Sequence, residues 1–223
     1  MKSDKPQKWL RPIWTGVASI ALIALALTLT RIFGHESLEH SATTIATAID
    51  RTDAKTLFGY VHDNEKAEFH LTPEKLQSFM DGYVKPSFAG YAKSQAPHGM
   101  AFPQQGVYEL DQIYSRPDGR RMTIAVTSEM TESGPKTPLI TELVTTCLFA
   151  RYGDGRHLAA PEKMKLLADG ISRDKDTLNS FGISGFVANR PGGQLVKWDD
   201  YVAHLNDNIR KLAVKPRSTP FQF

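Results

Sequence analysis

Residues 107–151 read VYELDQIYSRPDGRRMTIAVTSEMTESGPKTPLITELVTTCLFAR, and the fold turns on how many strands this stretch makes. Val107 to Ser115 and Arg121 to Met130 alternate apolar with polar residues and are rich in β-branched and aromatic side chains, the pattern of half-buried strands. Arg116-Pro117-Asp118-Gly119 lies between them, and Asp-Gly between two such runs is a strong hairpin signal. Leu139 to Arg151, after the turn Ser133-Gly134-Pro135, reads as a third β-rich run. An antiparallel meander over residues 107–151 is therefore expected, followed by a further turn at Gly153-Asp154-Gly155.

The residues on either side have helical spacing. Upstream, Leu38, Ala42, Ile45 and Ile49 recur at three- and four-residue intervals, and Asp53 is placed to cap a short helix through Leu57, Phe58 and Val61. Thr72 is a good N-cap with Pro73 in the first helical position. Leu71 and Leu76 stand at staple spacing, and Leu76, Phe79, Met80, Tyr83 and Val84 share a face, so a helix is predicted from Pro73 to Val84. A loop is expected from Lys85 to Gly106, with Phe88, Tyr91, Met100 and Phe102 available either to the core or to a partner. Downstream, Pro161 to Ala168 reads as a short helix stopped at Asp169-Gly170. A final helix carries Trp198, Tyr201, Val202, Leu205, Ile209 and Leu212 on one face, with acidic residues at its start and basic ones near its end. Arg190-Pro191-Gly192-Gly193 reads as a turn, since it lacks the strand-to-helix setting of a phosphate loop.

The N-terminal segment sets the cellular placement. From Pro12 to Thr30 the chain reads PIWTGVASIALIALALTLT, nineteen residues without a charge, bounded by Arg11 and Arg31. As a helix this is about 28 Å, close to the hydrocarbon thickness of a bilayer. Trp9 and Trp14 suit the headgroup layer, and basic residues crowd the N-terminal flank, so the N-terminus is expected to stay cytoplasmic. A cleaved signal peptide is the rival, because Ala24-Leu25-Ala26 offers small residues. The apolar run continues past it through Leu29, however, and no lipobox cysteine follows. A pilin-type segment would carry a glutamate that is missing here, and a surface helix would need a polar face. The expected layout is a cytoplasmic tail over residues 1–11, a single span over 12–30 in the inner membrane, an extracytoplasmic domain over 31–213 and a tail over 214–223.

Charge and cysteine content narrow the function classes. The chain has 27 basic and 24 acidic residues, and Lys2, Lys5, Lys8 and Arg11 against Asp4 already supply the net charge of +3. The remainder is neutral and has no basic stripe, which excludes nucleic acid as the expected partner. The lone Cys147 permits no intrachain disulfide, and its apolar neighbours mark it as a buried core thiol.

The segments AIDRTDAKTLFGYV and LTPEKLQSFMDGYV, followed by a meander ending in ARYGDGRHL, resemble the bacterial extracytoplasmic proteins of the nuclear-transport-factor-2-like, or cystatin-like, fold. The resemblance covers roughly Glu36 to Leu158. It implies an α+β fold in which a helical N-terminal layer packs into the concave face of a curved antiparallel sheet. Residues 159–213 exceed the family's usual length and form a helical C-terminal addition. The tail, span and domain order is similar to that of bitopic inner-membrane components of type IV secretion systems, although the motif residues of that family are not present.

Two function classes follow. The first is a membrane-tethered binding or assembly module with a protein partner. The second is an enzyme or small-ligand binder using the cone between sheet and helices. In that cone Glu109, Asp111 and Glu129 would supply carboxylates, and Tyr108 or Tyr114 a hydroxyl. Strand alternation puts Glu109 and Asp111 on one face and Tyr108 and Tyr114 on the other. His35-Glu36-Ser37-Leu38-Glu39-His40 has helical spacing for a metal pair, but a site needs three or four converging ligands, so neither a metal nor a cofactor is expected.

Overall fold

The computed structural model describes residues 37–153, 158–187 and 193–214. The expected span Pro12–Thr30 and both tails lie outside them. Among the described residues no helix is long and apolar enough to cross a membrane. Helices α1 (residues 37–50), α2 (Ala54–Tyr60), α3 (Asp63–Glu68), α4 (Pro73–Phe79) and α5 (Lys85–Ser87) precede strands β1 (Ala92–Lys93), β2 (His98–Phe102), β3 (Val107–Ser115), β4 (Arg121–Thr131) and β5 (Gly134–Lys136). Helices α6 (Leu139–Tyr152) and α7 (Ala160–Ser180), strands β6 (Gly185–Val187) and β7 (Leu195–Lys197), and helix α8 (Trp198–Val214) complete the chain. This is an α+β fold built on a curled antiparallel sheet.

The central hairpin forms as its turn residues dictate. Arg116 N–H donates to Arg120 O at 2.9 Å, Gly119 N–H donates to Arg116 O at 3.0 Å, and Asp118 Oδ1 accepts from Arg120 N–H. Gly119 holds φ +86°, the left-handed region that a side chain would resist. The hairpin pairs Val107 with Glu129 through to Ser115 with Arg121, while β1 and β2 both line the other side of β3. Tyr108, Leu110, Gln112 and Tyr114 of β3 are buried on one face with Met122, Ile124, Val126 and Ser128 of β4.

Helix α1 occupies that face. Its Leu38, Ala42, Ile45 and Ile49 are buried, and polar contacts hold it at both ends and in between. The Tyr108 hydroxyl bonds the Glu39 carboxylate, Ser41 Oγ meets Ser128 Oγ at 2.6 Å, and the Tyr114 hydroxyl donates to Asp50, which also pairs with Lys93. Eleven helical residues advance about 16 Å and six strand residues about 20 Å, so α1 and β3 run side by side over the same length. The Thr72 cap forms as predicted, with Thr72 Oγ1 accepting from Lys75 N–H, and α4 continues into a π-helical turn over Met80–Val84.

Three expectations are corrected. The run Leu139 to Arg151 is not a strand but helix α6, and the meander instead closes on the short β5. Leu139, Ile140, Leu143, Val144, Cys147, Leu148 and Ala150 are all buried, and the half-buried side that faces outward carries Thr141, Thr145 and Phe149 in place of a charged stripe, so the sequence shows no amphipathic period. The cap is remote in sequence: Glu65 of α3 accepts from Ile140 N–H at 3.1 Å and from Thr141 N–H at 3.0 Å. The segment from Ala150 that reads as a hairpin thus opens in the last turn of α6.

Helix α7 is the second correction, since it continues through Asp169-Gly170 to Ser180. Gly170 serves as a close-approach point; a Cβ there would lie 3.0 Å from Leu148 Cδ2 and 3.1 Å from Tyr152 Cδ2. Finally, the expected loop Lys85–Gly106 contains α5, β1 and β2.

The C-terminal elements join the core through Asp174 of α7. Its carboxylate is buried and accepts from Tyr83 Oη at 2.9 Å, Arg151 Nη1 at 2.9 Å and Tyr152 Oη at 2.6 Å. Trp198 Nε1 donates to Ile183 O at 3.0 Å, and Phe186 packs edge-on against Trp198 and Tyr201. Trp198 and Leu205 are buried, whereas Leu212 is 44% exposed, so the apolar face of α8 is covered only over its first turns.

Candidate functional site

β4 has two edges, and among the described residues only one is paired along its whole length. In an antiparallel ladder the N–H and C=O of one residue point to the same side. Arg120 O accepts from Arg116 and Met130 N–H donates to Gly106 O, so even-numbered residues of β4 face β3. Odd-numbered residues therefore face outward. Glu129 and Thr131 meet β5, and Thr127 N–H donates to Glu142 Oε1 of α6 at 3.0 Å. Among the described residues no strand lies against Arg121, Thr123 and Ala125.

Instead a groove of about 440 Å³ runs between this stretch and α6, lined on the helix side by Thr141, Glu142, Thr145 and Phe149, with Lys163 of α7 also on its lining. Arg121 and Lys163 are exposed at its rim.

Two buried carboxylates stand behind it. Glu65 is 2% exposed and holds the first turn of α6, with Thr141 Oγ1 as a third donor at 3.0 Å. Burial pushes it up to about 7, against the pull of the Ile140 and Thr141 donors and of nearby His62. Glu142 has its carboxylate enclosed although part of its stem reaches the groove wall. Its Oε2 accepts from Thr137 Oγ1 at 3.0 Å. Burial pushes Glu142 up to about 8, with the Glu65 charge adding to the push and the Thr127 and Thr137 hydrogen bonds opposing it. The hydrogen bonds are too few to offset the loss of water. A carboxyl group that changes charge near neutral pH thus borders a groove beside an open strand edge.

The five residues named from the sequence do not share one cavity. Tyr108 and Tyr114 lie under α1 and fasten it through Glu39 and Asp50. Burial raises the pKa of both hydroxyls. Glu109 and Asp111 are on the opposite face of β3, half-buried, across from Thr127 and Ala125 of β4. Glu129 sits at the far end, with Oε2 3.5 Å from His62 Nε2. The predicted alternation holds.

Glu65, Glu142 and the β4 edge were not singled out from the sequence. The signal available for Glu142 was a lone carboxylate inside the apolar run LITELVTTCLF, which marks a buried titratable group. A second cavity of about 310 Å³ lies beside the end of α6, lined by Tyr152 and by Glu162, Lys165, Asp169 and Arg173 from one face of α7. Among the described residues no three His, Cys, Asp or Glu side chains converge to hold a metal ion. Compared with protein-family models, curated proteins and solved structures, the chain matches none.

Proposed function

We propose that the chain is a single-pass, membrane-anchored binding or assembly module of the inner membrane, with its N-terminus in the cytoplasm and its folded domain outside. The supporting observation is the occupied concave face. Helix α1 fills the space against β3 and β4 in which a fold of this kind would hold a small ligand, and the tyrosines that could serve chemistry there are bonded to α1. A protein with its cavity filled in this way acts through its outer surfaces. The apolar run Pro12–Thr30 and its one-sided basic flank support the anchor. The order of helices before a curled sheet supports the nuclear-transport-factor-2-like assignment, with α7, α8 and the β6–β7 pair as the C-terminal addition.

The reading is tested in membranes. A reporter active only outside the cytoplasm works when fused after Phe223 and fails when fused near Lys8; the reverse pattern contradicts the topology. Crosslinking in native membranes, followed by mass spectrometry, yields a protein partner joined to the domain. Recovery of the chain alone at every crosslinker length counts against a binding module. An enzyme or small-ligand binder is the second reading, favoured by one observation: Glu142, raised to about 8, borders the 440 Å³ groove. That chemistry would belong to the groove and not to the concave face.

A further inference from the structure

We propose that the free edge of β4, recessed in the groove beside α6, is a strand-addition site that takes an extended acidic segment of the partner protein. The proposal rests on the binding-module reading and names the surface and the partner chemistry that the reading leaves open.

The backbone is the first argument. Arg121, Thr123 and Ala125 turn their N–H and C=O groups away from β3, and no strand of the described residues receives them. α6 protects the edge only as far as Thr127, whose N–H is taken by Glu142. An added strand would find donors and acceptors at alternate positions over about 16 Å, the mode in which main-chain hydrogen bonds give affinity and alternate side chains give specificity. Exposed edges are often blunted by bulges or prolines, and neither occurs between Arg121 and Ala125. The helix wall offers Phe149 and the side chain of Thr145 to the incoming residues, within a space of about 440 Å³.

Charge selects the occupant. Arg121 and Lys163 are the cations on the groove lining, and Glu142 is its one carboxylate. That carboxylate is already engaged by Thr127 and Thr137, and burial pushes it toward its neutral form. The groove therefore presents a positive rim to an incoming chain, which suits an Asp- or Glu-bearing strand. A second copy of this chain fits poorly. An isologous contact would have to bring together two edges that are each recessed beside their own α6. The protein's own tails carry the wrong charge, with Lys2, Lys5, Lys8 and Arg11 at one end and Lys215 and Arg217 at the other, and Pro216 and Pro220 interrupt strand pairing.

The test pans a display library of random nine-residue peptides on the detergent-solubilised full chain. Enrichment of extended, β-branched peptides carrying Asp or Glu is expected. N-methylation of alternate backbone nitrogens in the best peptide abolishes its binding. Thr123→Pro removes one outward N–H at a position where an edge strand tolerates proline, and weakens binding at least tenfold while the circular dichroism spectrum is retained. The double variant Arg121→Glu/Lys163→Glu, both at exposed positions, reverses the preference toward Lys- and Arg-bearing peptides, a readout that a folding defect could not mimic. No enrichment, or binders indifferent to both variants, overturns the proposal. So does self-association of the wild type that Thr123→Pro abolishes, which would make the edge a homodimer contact. If membrane crosslinking still returns a partner while the library binders ignore the groove variants, the groove assignment falls alone. If crosslinking returns none, the module reading falls.

Discussion

The two sides of β4 are in opposite states. On its concave face Met122, Ile124, Val126 and Ser128 are buried beneath α1, and polar contacts at Glu39, Ser41 and Asp50 fix that helix along the hairpin. On its free edge Arg121, Thr123 and Ala125 face a groove, and the nearest helix supplies a single backbone partner, to Thr127. The same strand thus contributes packing energy through its side chains and, among the described residues, leaves hydrogen-bonding capacity unused along its backbone. That contrast is the ground on which we propose recognition of an extended chain at the edge.

The largest effects should come from opening what is closed. Ile45→Ala removes a fully buried side chain from the α1–sheet interface and should cost roughly 2–5 kcal/mol. Thr145→Ala, on the groove wall, should change stability by less than about 0.5 kcal/mol. Urea unfolding of the two variants beside wild type measures the contrast, and comparable losses would mean that the groove is part of the core. Leu205→Ala asks whether α8 belongs to the folded unit. With Leu205 buried and α8 packed against α7, a loss of about 2 kcal/mol is expected. An unchanged melting temperature would mean that the helix awaits a partner.

A smaller effect concerns charge. Glu65 and Glu142 have folded values of about 7 and about 8 against an ordinary value near 4.5, so between those limits the folded state binds more protons than the unfolded chain. Their contribution is fully present below the ordinary value and is lost as pH rises through the folded values. Melting temperature should therefore fall between about pH 5 and about pH 9. Glu142→Gln keeps an acceptor for Thr127 N–H and a donor for Thr137 while removing the charge. It should flatten the fall, raising the melting temperature at the alkaline end by roughly 2–4 °C for each 1 kcal/mol of relieved penalty. Parallel pH profiles of wild type and variant would argue against a buried ionisable Glu142.

Local chemistry was legible in the sequence and remote contacts were not. Thr72-Pro73, Asp53 and Pro117-Asp118-Gly119 act within a few residues of themselves, so cap, helix and hairpin follow from reading them. The inward and outward alternation of Tyr108, Glu109 and Asp111 was equally readable. Helix α6 was not, because its outward side carries Thr141, Thr145 and Phe149 in place of a charged stripe and its cap arrives from Glu65. The candidate groove depends on that same error. With Leu139–Arg151 as a third strand, β4 would be an interior strand without a free edge, and Glu142 would be one more residue of a meander. Gly170 misled similarly: in sequence it reads as a stop, and only the nearness of Leu148 and Tyr152 reveals why a glycine is needed inside a helix.

The open edge can be examined directly by amide hydrogen exchange on the full chain, read residue by residue along β4. The account predicts alternation. Met122, Ile124 and Val126, bonded across the hairpin, should be protected, as should Thr127 through Glu142, while Arg121, Thr123 and Ala125 exchange orders of magnitude faster. Uniform protection from Arg121 to Thr127 would show that the edge is already covered within the protein, and would contradict it.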